Sequence, residues 1–162
     1  MKAIVTVDNN WGIGKAGQSL VGIPACLRLV NEKTVGKVVV MCRNSLAELP
    51  GGRPLKARTS FVLTSDMSYS DVTAIVVNDI DELVKKLEDY NTDDVYVIGG
   101  DYIYKSLLKM CDEVYVTKID YTYNADAYFE NLDESDEWVL ESESDEETYY
   151  DLEYYNLKYV RK

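Results

Sequence analysis

Asp94-Val95-Tyr96-Val97-Ile98-Gly99-Gly100-Asp101-Tyr102-Ile103-Tyr104-Lys105-Ser106-Leu107-Leu108-Lys109 is the stretch that decides the fold. Val95 to Ile98 is a β-type run that stops at Gly99-Gly100, and a helical pattern follows with Ile103, Leu107 and Leu108 on one face. A buried strand feeding two glycines and a helix start is a place where phosphate can sit. Glycine admits close backbone approach, and the free N–H groups of a first helical turn attract anions. Two glycines alone also read as a tight strand–helix turn, because they fall short of the full dinucleotide fingerprint.

The same alternation extends to both sides. Strand patterns recur at Ala3–Val7, Lys37–Met41, Ser60–Thr64, Ala74–Val77, Glu113–Ile119, Trp138–Glu141 and Tyr154–Val160. Several are near-continuous apolar runs, as expected of strands covered on both faces. Helical patterns lie between them. Ile23 to Val35 has Pro24 in its first turn and Gly36 beyond its end. Ser45 to Leu49 is stopped by Pro50-Gly51-Gly52, and Ile80 to Tyr90 opens on Asp79 with Glu82 three residues on. The pattern predicts an α/β fold: a mostly parallel eight-stranded sheet, helices on both faces, and an antiparallel C-terminal edge where no helix separates the last strands. Without repeats or a low-complexity linker, residues 1–162 read as a single domain.

Composition excludes several chemistries. Histidine is absent, which removes every His-based triad and His-containing zinc site. Cys26, Cys42 and Cys111 form no CxxC pair and are odd in number, which fits a reduced, cytoplasmic protein and no metal site. No apolar run approaches the roughly 20 residues of a membrane span, and the N-terminus reads as a strand, not a signal peptide. The net charge of −12 is concentrated between Asp133 and Glu153 and repels nucleic acid and anionic membranes. That acidic stretch reads as a solvated loop and an outward strand face. The expected partner is a small molecule, and the expected state a monomer.

Open α/β sheets bind ligands at the carboxyl ends of their strands, where Val7, Met41, Thr64 and Ile98 all end. One cleft therefore gathers the glycine-rich stretch Asp8 to Gly22, Arg43-Asn44-Ser45, Thr64-Ser65 and Gly99-Gly100. The stretch from Asp8 is long enough to act as a lid. Arg43 with the hydroxyls of Ser45, Thr64 and Ser65 suits a nucleotide bearing several phosphates.

These landmarks, in order, resemble the dihydrofolate reductase family over nearly the whole chain. They are Trp11-Gly12-Ile13-Gly14, Ile23-Pro24, Val38-Val39-Val40-Met41 followed by Arg43, Gly52-Arg53-Pro54-Leu55 before Arg58, Val97-Ile98-Gly99-Gly100, Tyr115-Val116-Thr117-Lys118-Ile119-Asp120, and Asp126 with Phe129. The resemblance implies NADPH-dependent reduction of 7,8-dihydrofolate to tetrahydrofolate. It implies that Gly99, Gly100 and the helix start at Asp101, Tyr102 and Ile103 carry cofactor phosphate. Arg43, Asn44 and Ser45, with Thr64 and Ser65, would face the pyrophosphate and the adenosine 2′-phosphate, while Thr6 and Cys42 adjoin the nicotinamide. Ile13, Gly14 and the loop to Ser19 would close over that ring. Ile4, Leu27, Val30, Leu49, Leu55, Ile98 and Tyr104 would line the folate slot, Arg58 would grip the glutamate α-carboxylate, and Cys26 and Thr117 would orient the pterin.

The departures from the family pattern fall in the site. Cys26 stands two residues after the helix-opening proline, where the family carries an acid, and a thiol cannot imitate a carboxylate's two-oxygen fork. Cys42 stands at a glycine position, where its side chain would crowd the cofactor. Val30 replaces an aromatic wall, Thr6 a small alanine, and Asn31, Asn44 and Tyr102 lack cations often found there. Two readings of Cys26 stay open, a small buried residue and a thiol activated in a first helical turn. Alternatives to the impaired reductase are a catalytically silent, natural or engineered protein that binds nucleotide or pterin, and a related pyrimidine reductase. Arg58 and Gly52-Arg53-Pro54-Leu55 favour the folate branch over the last.

Overall fold

The computed structural model describes residues 1–162. Its elements are β1 (Lys2–Val7), β2 (Gly12–Lys15), β3 (Gln18–Ser19), α1 (Pro24–Thr34), β4 (Val38–Cys42), α2 (Arg43–Ala47), β5 (Thr59–Leu63), β6 (Ile75–Val77), α3 (Ile80–Leu87), β7 (Val95–Gly99), α4 (Asp101–Leu107), β8 (Glu113–Ile119), β9 (Ala127–Tyr128), β10 (Trp138–Glu143), β11 (Glu147–Tyr149) and β12 (Leu152–Arg161). The main sheet runs β10-β12-β8-β1-β7-β4-β5-β6. Its pairs from β8 to β6 are parallel, and β12 joins β8 and β10 antiparallel. The eight expected strands form this path, and β11 adds a ninth as the hairpin partner of β12.

Alternation along the strands splits the core. On β1 and β4, Ala3, Val5, Val7, Val38 and Val40 face the large cluster that receives Leu83 and Leu87 of α3 and Ile103 and Leu107 of α4. Ile4, Val39 and Met41 face the other side, with Leu46 of α2 and the half-buried Leu29 and Val30 of α1. Helices thus cover both faces, which is why β4 can be apolar at every position. Of α1 only Thr34 is fully buried. The inward side chains of α1, Leu29 and Val30 among them, are half-buried against the sheet.

Two differences from the sequence reading matter for the site. The stretch Asp8 to Gly22, expected as a loop, contains the β2–β3 hairpin, and β2 also pairs with β9 to form a second, three-stranded sheet. Its glycines disguise it, yet Gly14 is there because a Cβ would lie 2.9 Å from the Gln18 carbonyl oxygen across the hairpin. The helix expected at Ser45 begins at Arg43, directly after β4, because Cys42 is still extended and the chain turns into the helix at the next residue.

Candidate active site

The carboxyl end of β7 forms one wall. Gly99 is buried with φ of +139°, a conformation L side chains rarely adopt, and its peptide to Gly100 is cis. A Cβ on Gly99 would lie 2.5 Å from Ser45 Oγ, and one on Gly100 would lie 3.1 Å from Cys42 Sγ. The Cys42 thiol and the Ser45 hydroxyl are themselves 3.4 Å apart. The thiol expected to crowd a ligand thus packs against Gly100 and Ser45, on the side of α2. Ile103 is fully buried in the core, so α4 offers this wall only the backbone of its first turn, with Asp101 paired to Lys105 at 3.1 Å and Tyr102 exposed.

Tyr104, expected in the slot lining, is buried and anchored to β1. Its hydroxyl donates to the Ile4 carbonyl at 2.6 Å, and its ring meets Phe129 edge-on at 5.1 Å. Burial pushes its phenol well above the ordinary range. The residue ties α4 to β1 beneath Gly99.

The corner beyond β4 and β5 holds Arg43, Asn44, Thr64 and Ser65. Arg43 NH1 donates to Asp66 Oδ2 at 3.0 Å, and its guanidinium lies 4.1 Å from the Tyr69 ring centroid. The Thr64 hydroxyl accepts from the Asp66 N–H at 3.1 Å. The Asn44 amide sits against Gly17, where a Cβ would meet it at 3.0 Å.

Three carboxylates hold the β2–β3 segment over the cleft. Buried Asp8 accepts from the N–H groups of Asn10 and Gly12 through Oδ1, at 2.9 and 2.8 Å, and from Tyr123 through Oδ2 at 2.9 Å. Asp126 accepts from the Ala16 N–H at 3.0 Å. Glu48, at the C-cap of α2, accepts from the Ser19 N–H at 2.7 Å and from its hydroxyl at 2.6 Å. Ile13 of this segment packs against the large core.

The opposite wall is apolar above a polar floor that holds no carboxylate. Ile4, Val30, Leu49 and Ile98 converge in the smaller core cluster. Leu27, 36% exposed, and half-buried Leu55 lie outside it. Thr6 donates to Cys26 Sγ at 3.3 Å, and buried Thr117 donates to Asn156 Oδ1 at 3.1 Å. Neither bond contains a carboxylate. Arg58, placed by sequence at the substrate tail, is already engaged. Its Nε donates to Thr34 Oγ1 at 2.8 Å, NH2 donates to the Asn31 carbonyl and side-chain oxygens at 2.7 and 2.6 Å, and NH1 donates to the Lys56 carbonyl. Burial lowers its pKa.

Sequence reasoning missed Asp8, Glu48, Asp66, Tyr69 and Asn156. Asp8 carries a local signal, an acid at a strand end with Gly12 four residues on. The other four act across the fold on Ser19, Arg43 and Thr117, and no local pattern marks them. No group of three or more Cys, Asp and Glu side chains gathers as a metal centre.

The fold and cleft define an α/β protein with a nucleotide-type site at the carboxyl ends of its parallel strands. The comparisons narrow this. The dihydrofolate reductase family model matches residues 1–161. The dihydrofolate reductase of Haemophilus influenzae is 30% identical over 93% of each chain, and that of Bacillus subtilis 30% identical over 98% of this chain and 93% of its own. The solved dihydrofolate reductase from Enterococcus faecalis, complexed with NADP(H) and RAB-propyl, superposes with a TM-score of 0.82 at 28% identity, covering 99% of this chain and 95% of that one. The chain belongs to the dihydrofolate reductase family.

Proposed function

We propose that this chain reduces 7,8-dihydrofolate to tetrahydrofolate with NADPH, at a rate limited by the absence of a carboxylate at residue 26. The observation that carries the reading is the Gly99-Gly100 turn at the end of β7, packed so closely by Ser45 and Cys42 that a Cβ would lie 2.5 and 3.1 Å from their side chains. Backbone approach to a phosphate needs such a turn. NADPH, when bound, supplies the hydride. The chain's residues position and enclose. Ser45, Thr64, Ser65 and the first turn of α4 hold the phosphates, and Asn44 and Arg43 stand at the adenosine end. Thr6 and Cys42 adjoin the nicotinamide, and Ile13, Gly14 and Ser19 cover it. Ile4, Val30, Leu49 and Ile98 flank the pterin, with Leu27 and Leu55 at the rim. Thr117 and Cys26 orient the ring, and the proton for N5 comes from water because no side chain here donates it. Residues 1–162 act as one domain, as a monomer, in the cytoplasm, with no nucleic acid partner. No helix is long and apolar enough to cross a membrane.

The Thr6–Cys26 pair, which contains no carboxylate, favours a second reading, a silent protein that binds nucleotide or pterin. NADPH oxidation with dihydrofolate separates the two. The parent should turn over slowly, and Cys26→Asp about 10²- to 10⁴-fold faster. If only Cys26→Asp turns over, the parent is a silent binder. If neither turns over and neither quenches NADPH fluorescence, both readings fail.

A further inference from the structure

The cation at the cofactor's adenosine corner carries its own counter-ion. Arg43 donates to Asp66 at 3.0 Å and lies over Tyr69. Asp66 is held in that orientation from behind. Its Oδ1 accepts from the Ser68 N–H at 3.0 Å and the Ser68 hydroxyl at 2.6 Å, while its own N–H is bound by Thr64. The loop between β5 and β6 therefore presents a fixed carboxylate beside the guanidinium. Asn44 and exposed Tyr102, on the neighbouring walls, add no positive charge.

Dinucleotides differ at this corner. An adenosine 2′-phosphate asks for an arginine, whereas a free ribose diol donates to a carboxylate. A dianionic phosphate that shares the Arg43 guanidinium with this carboxylate is disfavoured by about tenfold at low ionic strength, and by less as salt screens the two charges. We propose that Asp66 is a specificity-determining residue that cancels much of the preference for the 2′-phosphate, so that this chain accepts NADH alongside NADPH. The inference rests on the reductase reading of the cleft.

Calorimetric titration of the ligand-free protein with NADPH and with NADH, at fixed ionic strength, tests it without reference to turnover. The parent should favour NADPH by less than about thirtyfold in Kd, and Asp66→Asn should raise that preference about tenfold. Asparagine keeps the oxygen that Ser68 binds, so the loop retains its shape, and an unchanged melting temperature checks this. Arg43→Gln should weaken NADPH binding by less than about threefold in the parent and by about tenfold or more in the Asp66→Asn background. A parent preference above about thirtyfold, or a preference unmoved by Asp66→Asn, overturns the role of Asp66 while the reductase reading stands. If neither dinucleotide binds, the reductase reading falls and takes this inference with it.

Discussion

Gly99→Ala is the most demanding test of the β7 wall, because its cost divides into two parts that can be separated. The first is conformational. Gly99 has φ of +139°, and an L residue forced there costs about 1–3 kcal/mol. The second is steric. The new Cβ would lie 2.5 Å from Ser45 Oγ and 3.4 Å from Ser45 Cβ, so the hydroxyl alone is too close. Tyr104 Oη, at 3.7 Å, is in ordinary contact and adds nothing. Ser45 sits in α2, whose Leu46 is fixed in the smaller core, so the backbone cannot retreat cheaply. Overpacking of this kind costs about 1–3 kcal/mol. The sum is about 2–6 kcal/mol, measured as the change in unfolding free energy from urea titration. Ser45→Ala in the same chain removes the offending oxygen and leaves the Cβ at van der Waals distance. The double variant should recover the steric part, about 1–3 kcal/mol, and none of the conformational part. A double variant no more stable than Gly99→Ala, or a single variant costing under about 1 kcal/mol, refutes the claim that the turn is held by contact with Ser45.

Other sites give distinct signatures. Arg58→Lys loses a planar fork that binds Thr34, Asn31 and Lys56, and should destabilise by about 1–2 kcal/mol in thermal unfolding. If stability is unchanged and only the KM for dihydrofolate rises, Arg58 serves the substrate tail and not the C-terminal end of α1. The Cys111 thiol is pushed up to about 12 by burial, from 9.0. The folded state therefore holds the neutral form. Its stabilising effect is complete below pH ~9, where the unfolded thiol is also neutral, and is lost as pH rises from ~9 to ~12. The stability of Cys111→Ala should fall less steeply across that window, and equal slopes in urea titrations would dismiss the thiol as the cause. Glu48→Ala removes both bonds to Ser19 across the mouth of the cleft. NADPH release followed by stopped-flow fluorescence should then quicken by about tenfold, the worth of two exposed hydrogen bonds. An unchanged release rate means that the β2–β3 segment does not gate the cofactor.

The parallel sheet was legible because its strands are marked by burial. Val38 to Met41 is apolar at every position because α3 and α4 cover one face and α1 and α2 the other, and that continuity shows in the chain itself. The Gly99-Gly100 turn was legible for a similar local reason, since strand, glycines and helix follow one another directly. The β2–β3 hairpin was not. Gly12, Gly14 and Gly17 remove the side-chain alternation by which a strand is recognised, and the pairing with β9 spans more than 100 residues. The sequence marks Arg43 and Arg58 as cations beside the cleft, but it carries no sign of the groups that engage them. An arginine in a sequence carries five free donors, and only the folded chain shows that Asp66 faces one and that Asn31, Thr34 and Lys56 take the other.

The acids of this chain are distributed around the cleft in a way that bears on its chemistry. Asp8, Glu48 and Asp126 spend their oxygens on the β2–β3 segment, its N-terminal flank and the Tyr123 N–H, and Asp66 spends its own on Ser68 and Arg43. Each carboxylate therefore shapes a loop at the rim. The floor proposed for the slot relies instead on Thr6, Cys26, Thr117 and Asn156, which are bonded in pairs with no carboxylate among them. A floor of that kind can orient a neutral ring by its hydrogen-bonding edge, but it cannot offset positive charge on that ring as an aspartate would. Restoring a carboxylate at residue 26 changes the one property in which the floor differs most from the family pattern, and leaves the hydrogen bonds of the rim as they are. The gain from Cys26→Asp should accordingly appear in turnover and in dihydrofolate binding, with the Kd for NADPH unaltered. A Kd that shifts along with the rate would mean that the two sites are coupled through Thr6, which is bonded to Cys26 and proposed to adjoin the nicotinamide.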